Sequence, residues 1–206
     1  ADGFRLAVHS IALSQPVSER VEVIVPARAL GEINRLLGDE EEPVQMMLNA
    51  ARSQVLFKLK NTELVAQLIQ GSFPNYSQLI PQNYASRALV EVNEFLRETR
   101  IASIFARDGS GIVRLQVQSG EELTPGKVMI YARAEEIGDN QGEIDATVEG
   151  EAAKIAFNGK YLQDVLSVLD ADRVALETSS PSSPGVIRPV GCSDYVHVVM
   201  PMFVQW

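Results

Sequence analysis

His9, His197 and Cys192 are the only imidazoles and the only thiol in the 206 residues. Three such groups cannot close a zinc site without carboxylate help, and both histidines fall in alternating, strand-like runs where a surface position is the ordinary reading. No GxxxxGK[ST] loop, no GxGxxG after a strand and no GxSxG elbow occurs. The acidic stretch "DEEEP" (39–43) lacks the ligand spacing of a calcium loop and reads as a solvated turn. "DGSG" (108–111) and "DNQG" (139–142) read as turns too. Carboxylate pairs discriminate nothing in a chain with 27 acidic residues. The residues thus predict no catalytic centre, no cofactor and no metal. What is left is the chemistry of binding: an apolar run near the chain end, Val198, Val199, Met200, Pro201 and Met202, and a set of arginines in amphipathic segments.

Those residues need elements to hold them. At 46% hydrophobic content the chain can bury a core, as one large or two small domains. A lone cysteine permits no intrachain disulfide and fits a reducing, intracellular setting. No apolar stretch approaches the ~20 residues of a helical membrane span. The opening "ADGFRLAV" has neither an initiator Met nor a signal-peptide pattern, and reads as cut from something longer.

Three segments share a layout: "VEVIVPARALGEINRLL" (21–37), "RALVEVNEFLRETRIASIF" (87–105) and "AAKIAFNGKYLQDVLSVL" (152–169). Each is an apolar run leading into an amphipathic helix, and Leu30, Leu96 and Leu162 align at a spacing of 66 residues. Strand-like runs follow each helix, with alternation clearest in Val113, Leu115 and Val117 against Arg114, Gln116 and Gln118. The unit is one helix and about three strands, three times over, with residues 1–20 supplying strands of an earlier unit. An α+β chain with coincidental spacing is the competing reading. Asn158 suits a helix N-cap, Pro26 a first turn and Gly38 a stop. The boundary falls near "PNYSQLIPQNYAS" (74–86). The predicted class is α+β, with helices on one face of antiparallel sheets.

The helices, taken as 26–38, 92–107 and 158–169, carry six basic and four acidic residues, +2 in sum, and the remainder carries −11 of the total −9. Helices gathered on one side would therefore form a mildly basic wall, suited to a phosphate backbone without base readout. Solubility charge explains the same pattern, since Glu94 and Glu98 sit at helical spacing from Arg97 and Arg100.

Four motifs, "ADGFRLAV", "FPNYSQLIP", "IAFNGKYLQDVL" and "VVMPM", stand in the order and spacing of one family. With them the sequence resembles the bacterial sliding clamp, the beta subunit of DNA polymerase III, over essentially all 206 residues but only over the C-terminal part of a clamp. The resemblance implies a DNA-clamp fold, with residues 1–77 the second half of a middle domain and 78–206 a complete C-terminal domain. It implies a homodimeric ring around duplex DNA, helices inward, with Arg28, Arg35, Arg97, Arg100 and Lys160 facing the DNA. It implies a tether that catalyses nothing itself, an accessory subunit of the DNA-directed DNA polymerase in the bacterial cytoplasm, at the nucleoid. Partners would be the replicative polymerase and clamp-loader subunits, docking linear peptides in a hydrophobic pocket. Carried over residue by residue, that pocket is Gly3, Phe4, Arg5, Leu6, Pro74, Leu79, Asn158, Tyr161, Val198, Val199, Met200, Pro201 and Met202. Core packing competes for Val198, Val199 and Met200. The ring edge would include Ile104 and Phe105, for which core packing again competes, and this chain alone is expected not to close a ring.

The sequence departs from the family at Phe4, where a polar ring is common, at Gln78, where a basic residue is frequent, and in the tail "FVQW", where Phe203 and Trp206 could roof the pocket. Two other classes compete with the tether: a peptide-binding scaffold of repeated α+β units with no DNA role, and a carboxylate hydrolase. The scarcity of histidine and the missing nucleophile–base pairs speak against the hydrolase.

Overall fold

Val113, Leu115 and Val117 are fully buried while Arg114 and Gln116 between them are only half-buried, the period-two signature of a strand with one core face. The computed structural model describes residues 1–39, 41–107, 110–121, 124–136 and 138–206. Glu40 of "DEEEP" and residues 108 and 109 of "DGSG" lie outside the described residues. The chain runs β1 (Arg5–His9), α1 (Ala27–Leu37), β2 (Gln45–Leu48), β3 (Gln54–Lys58) and β4 (Glu63–Gln67), then a 3-10 turn at Tyr76–Leu79. It continues with β5 (Ser86–Glu91), α2 (Val92–Arg107), β6 (Ile112–Gln118), β7 (Gly126–Ala134) and β8 (Gly138–Gly150). β9 (Ala153–Asn158), α3 (Gly159–Leu166), β10 (Arg173–Thr178), β11 (Gly185–Pro189) and β12 (Tyr195–Val199) complete it.

Each helix is followed by three strands, apart from β9, which leads into α3 as β5 leads into α2. The chain divides into two compact units, Leu13–Tyr76 and Ala1–Ala12 with Ser77–Trp206. In the smaller unit β2, β3 and β4 form an antiparallel sheet, and Val55 and Phe57 of β3 share a core with Ile33 of α1. Pro26 stands at the N-cap of α1 and not in its first turn, its carbonyl accepting from the Ala29 N–H at 2.9 Å. Gly38 follows as the C-cap. The leading run "VEVIV" is reduced to a bridge between Ile24 and Ile69. Leu30, aligned with the fully buried Leu162, is 48% exposed. A single helix on a three-stranded sheet buries a narrow stripe, and in α1 that stripe centres on Ile33.

The larger unit holds one nine-stranded sheet in the order β1-β12-β11-β10-β5-β8-β7-β6-β9, with every pairing antiparallel. β8 stitches it together: residues 138–146 pair with β7 and residues 147–150 with β5. The expected "DNQG" turn is therefore a stretch of strand, Asn140 opposite Ala132 and Gly142 opposite Ile130. Local turn preference loses there to a long partner strand. Gly142 also lies under the Glu98 side chain of α2, whose flexible end a Cβ there would displace. From residues 1–20 the only strand is β1, which takes its partner from β12.

α2 and α3 pack on each other and on one core, α2 through Phe95, Ala102 and Ala106, α3 through Leu162, Val165 and Leu166. Each buried large side chain contributes roughly 1.5–3 kcal/mol from removing its surface from water. Gly159 permits the close approach at the start of α3, since a Cβ there would fall 2.8 Å from Val113 Cγ2 and onto Ser103 Oγ. β12 has two working faces. Val196 and Val198 join Leu6, Val8, Val186 and Ile80 in a small separate cluster, whereas Val199 belongs to the main core.

Candidate functional site

Leu6 and Val198 are register partners in the β1–β12 pair, and beyond them the strands end in an open apolar cleft of about 440 Å³. Gly3, Phe4, Arg5 and Leu6 form one side, Leu79 and Gln78 another, and Val198 and Met200 a third. Met200 is held there by its backbone, its N–H donating to the Phe4 carbonyl at 2.8 Å. Phe4 stands at the rim, 58% exposed, its ring centroid 6.4 Å from that of Tyr161. No histidine, cysteine or carboxylate lines the cleft.

Arg5 is the one side-chain cation lining it among the described residues, and its charge is spoken for. Nη1 lies 2.6 Å from Asp164 of α3 and Nε 2.9 Å from Asp2, and the guanidinium stacks 4.4 Å over the Tyr161 ring. The hydrogen bond to Asp164 raises the Arg5 pKa further. Fixed on both sides, the guanidinium braces α3 against β1 and has little charge left for a ligand.

Eleven of the thirteen residues expected in a pocket fall within 1–6 or 158–202 beside these elements, but only Gly3, Phe4, Arg5, Leu6, Leu79, Val198 and Met200 line the cleft. Tyr161 touches it through Phe4 and Arg5. Val199 is 0% exposed and faces the core, because alternation turns it away from Val198. Met202 turns toward β9, its N–H donating to the Ala156 carbonyl at 2.7 Å, and Pro201 lies half-buried between the two. Asn158 caps α3 by accepting from the Lys160 N–H at 2.9 Å, and lines a different cavity. Pro74 is an exposed residue of the smaller unit. The tail does not roof the cleft: Trp206 lies by Lys154 of β9, 5.6 Å from its ammonium, and Phe203 is exposed. Pro81 and Pro184 were not expected but line the cleft; one adjoins "NYSQLI", and the other ends a serine-proline loop that signals only a turn.

Of the helix cations, Arg35 pairs with Glu32 at 3.0 Å and Arg97 with Glu98 at 3.1 Å. Arg28, Arg100 and Lys160 have no ion-pair partner among the described residues. Ile104 points outward on α2, while Phe105 packs against the core. Cys192 is exposed, and its hydrogen bond to the Asp194 carboxylate pushes the thiol pKa up, away from a reactive thiolate. His9 Nε2 lies 3.8 Å from Asp194. Among the described residues no three His, Cys, Asp or Glu side chains are grouped to hold a metal, and no helix is long and apolar enough to cross a membrane.

Residues 77–203 match the family described as DNA polymerase III beta subunit, C-terminal domain, and residues 1–75 its central domain. The chain is 34% identical over 202 residues to the beta sliding clamp of Staphylococcus aureus, covering 98% of this chain and 52% of that protein. The DNA polymerase sliding clamp of Bacillus subtilis superimposes with a TM-score of 0.90 at 30% identity, over 99% of this chain and 52% of that one. The beta subunit sliding clamp of Bartonella birtlesii does so at 0.87 and 27%, over 98% and 56%. The chain thus spans about half the length of the curated relatives it matches. The four motifs, the helix-and-three-strand repeat and these likenesses agree, and the chain belongs to the DNA polymerase III beta subunit family, the bacterial sliding clamps.

Proposed function

We propose that this chain is part of a ring-forming processivity clamp, a non-catalytic tether that holds the replicative polymerase on duplex DNA. In this reading, residues 1–77 are the second half of a middle domain and 78–206 a complete last domain. The ring closes through two copies of the longer protein, with Ile104 on the edge. Linear peptides of polymerases and clamp-loader subunits dock in the cleft at Leu6, Leu79, Val198 and Met200. A tethered polymerase that lets go is rebound at high effective concentration, so topology does the work of affinity.

The cleft is the observation that carries the reading. Its walls are apolar, its one side-chain cation is matched by Asp164 and Asp2, and no carboxylate, histidine or cysteine among the described residues lines it. Such a surface favours burial of aliphatic and aromatic side chains. Met200 and the exposed Phe4 can adjust to more than one sequence. The test is fluorescence anisotropy of a labelled peptide containing Leu and Phe, titrated with the 206-residue chain. Leu79→Ser and Met200→Ala change exposed positions, so folding is preserved. Each is expected to weaken binding roughly tenfold, about 1.4 kcal/mol. Unchanged affinity in both would remove the cleft from this reading.

A further inference from the structure

A cavity of about 560 Å³ lies where β5 begins and β10 ends, against the last residues of β6 and the first of β9. It shares no lining residue with the apolar cleft. Ser86, Ala88 and Val90 alternate on the buried face of β5, as Val174, Leu176 and Thr178 do on β10. Both faces are apolar along the core and turn polar only at the cavity, where Ser86 and Thr178 are register partners. These two residues are 1% and 3% exposed, and neither hydroxyl has a hydrogen-bond partner among the described residues. A buried hydroxyl left unbonded is disfavoured, and Ala and Val at the two places would avoid that penalty. Gln116 and Gln118 line the same cavity from β6, and their amides make no hydrogen bond to another described residue. All four groups are neutral, and each both donates and accepts. The charges around them cancel: Glu151 and Lys154, neither in an ion pair among the described residues. Val117, Ala153 and Pro181 supply an apolar side.

We propose that this cavity is a binding site for a small neutral polyhydroxylated molecule, a polyol or monosaccharide, with Ser86, Thr178, Gln116 and Gln118 as its hydrogen-bonding contacts. Hydroxyl groups answer such a lining because each of them also donates and accepts, and the C–H face of a sugar ring suits the apolar side. A simple anion or cation meets one charge of its own sign there. The Ser86 hydroxyl breaks no protein hydrogen bond when it rotates about χ1 toward a ligand. The site is independent of the ring, the DNA and the peptide cleft, so its failure leaves those readings standing.

The test is a ¹H–¹⁵N chemical-shift titration of the 206-residue chain with methyl α-glucopyranoside. Saturable shifts are expected at the Ser86, Val117 and Thr178 amides, with a dissociation constant on the order of 1 mM, the scale that a ligand of this size allows. Shifts that stay linear with sugar concentration, or that spread evenly over the surface, would overturn the site. Ser86→Ala with Thr178→Val should weaken binding about tenfold and leave the melting temperature equal or higher, since no protein hydrogen bond is removed. A marked fall in melting temperature would mean that the hydroxyls already have partners within the protein, and would overturn it too. Gln118→Ala, at an exposed position, removes one contact without touching the core and should weaken binding about threefold. Unchanged affinity in both variants would place the sugar elsewhere and sink the proposal. Glycine, a zwitterion matched only to Glu151 and Lys154, should give no saturable shift. Glycine binding as well as the sugar would move the site to those charges and overturn the polyol assignment.

Discussion

The Tyr195 hydroxyl and His197 Nδ1 lie 3.0 Å apart, and His197 is only 7% exposed, with Nε2 lacking a partner among the described residues. Burial, helped by the nearby Arg5 charge, lowers the His197 pKa from 6.5 to about 4. The folded state therefore keeps this ring neutral in a range where the unfolded chain protonates it. Above pH 6.5 the residue adds no pH dependence; between 6.5 and about 4, stability falls on acidification, by roughly 2–3 kcal/mol in all. Urea denaturation at pH 7, 6 and 5 should show this slope in the parent and lose it in His197→Leu. A slope that persists in the variant would assign it to other groups. The sequence placed His197 in a strand but made it a surface residue, since alternation gives opposite faces without saying which is the dry one. Val198 and Val199 were ambiguous for the same reason, and α3 settles them by covering one face of β12 and leaving Val198 to the small cluster with Leu6.

Elements were the most legible level, because periodicity and caps are local. α2 occupies the expected residues 92–107, and Asn158 caps α3 with its side chain as its residue type suggested. Removing that cap with Asn158→Ala should cost about 1 kcal/mol, read from the urea midpoint; no shift would mean that packing alone holds the first turn. What was not legible depends on partners distant in sequence. "DNQG" has strong turn composition, yet β7 is long enough to draw it into β8. Likewise Pro81 and Pro184 join one cleft wall only because the chain brings the turn after Leu79 beside the start of β11, a juxtaposition with no local signature.

At the scale of the molecule the two units are unequally built. The larger has an extensive core with Phe95, Leu115, Ile130 and Phe157 fully buried, whereas the smaller relies on Ile33, Val55, Phe57, Leu59 and Leu68. Hydrogen exchange should therefore find the β3 amides at least tenfold less protected than those of β7, a difference of about 1.4 kcal/mol in opening free energy. Equal protection would mean that the small core is supported by something other than its own burial. One more property belongs to α3. In two turns it sends Tyr161 and Asp164 toward Arg5, and Lys160 and Gln163 toward a cavity shared with Arg100 and Ile104 of α2. Alleles of this short segment should consequently sort by residue and not by position along the chain: surface changes would silence a single partnership, and a change at Leu162, beneath both, would abolish the two at once.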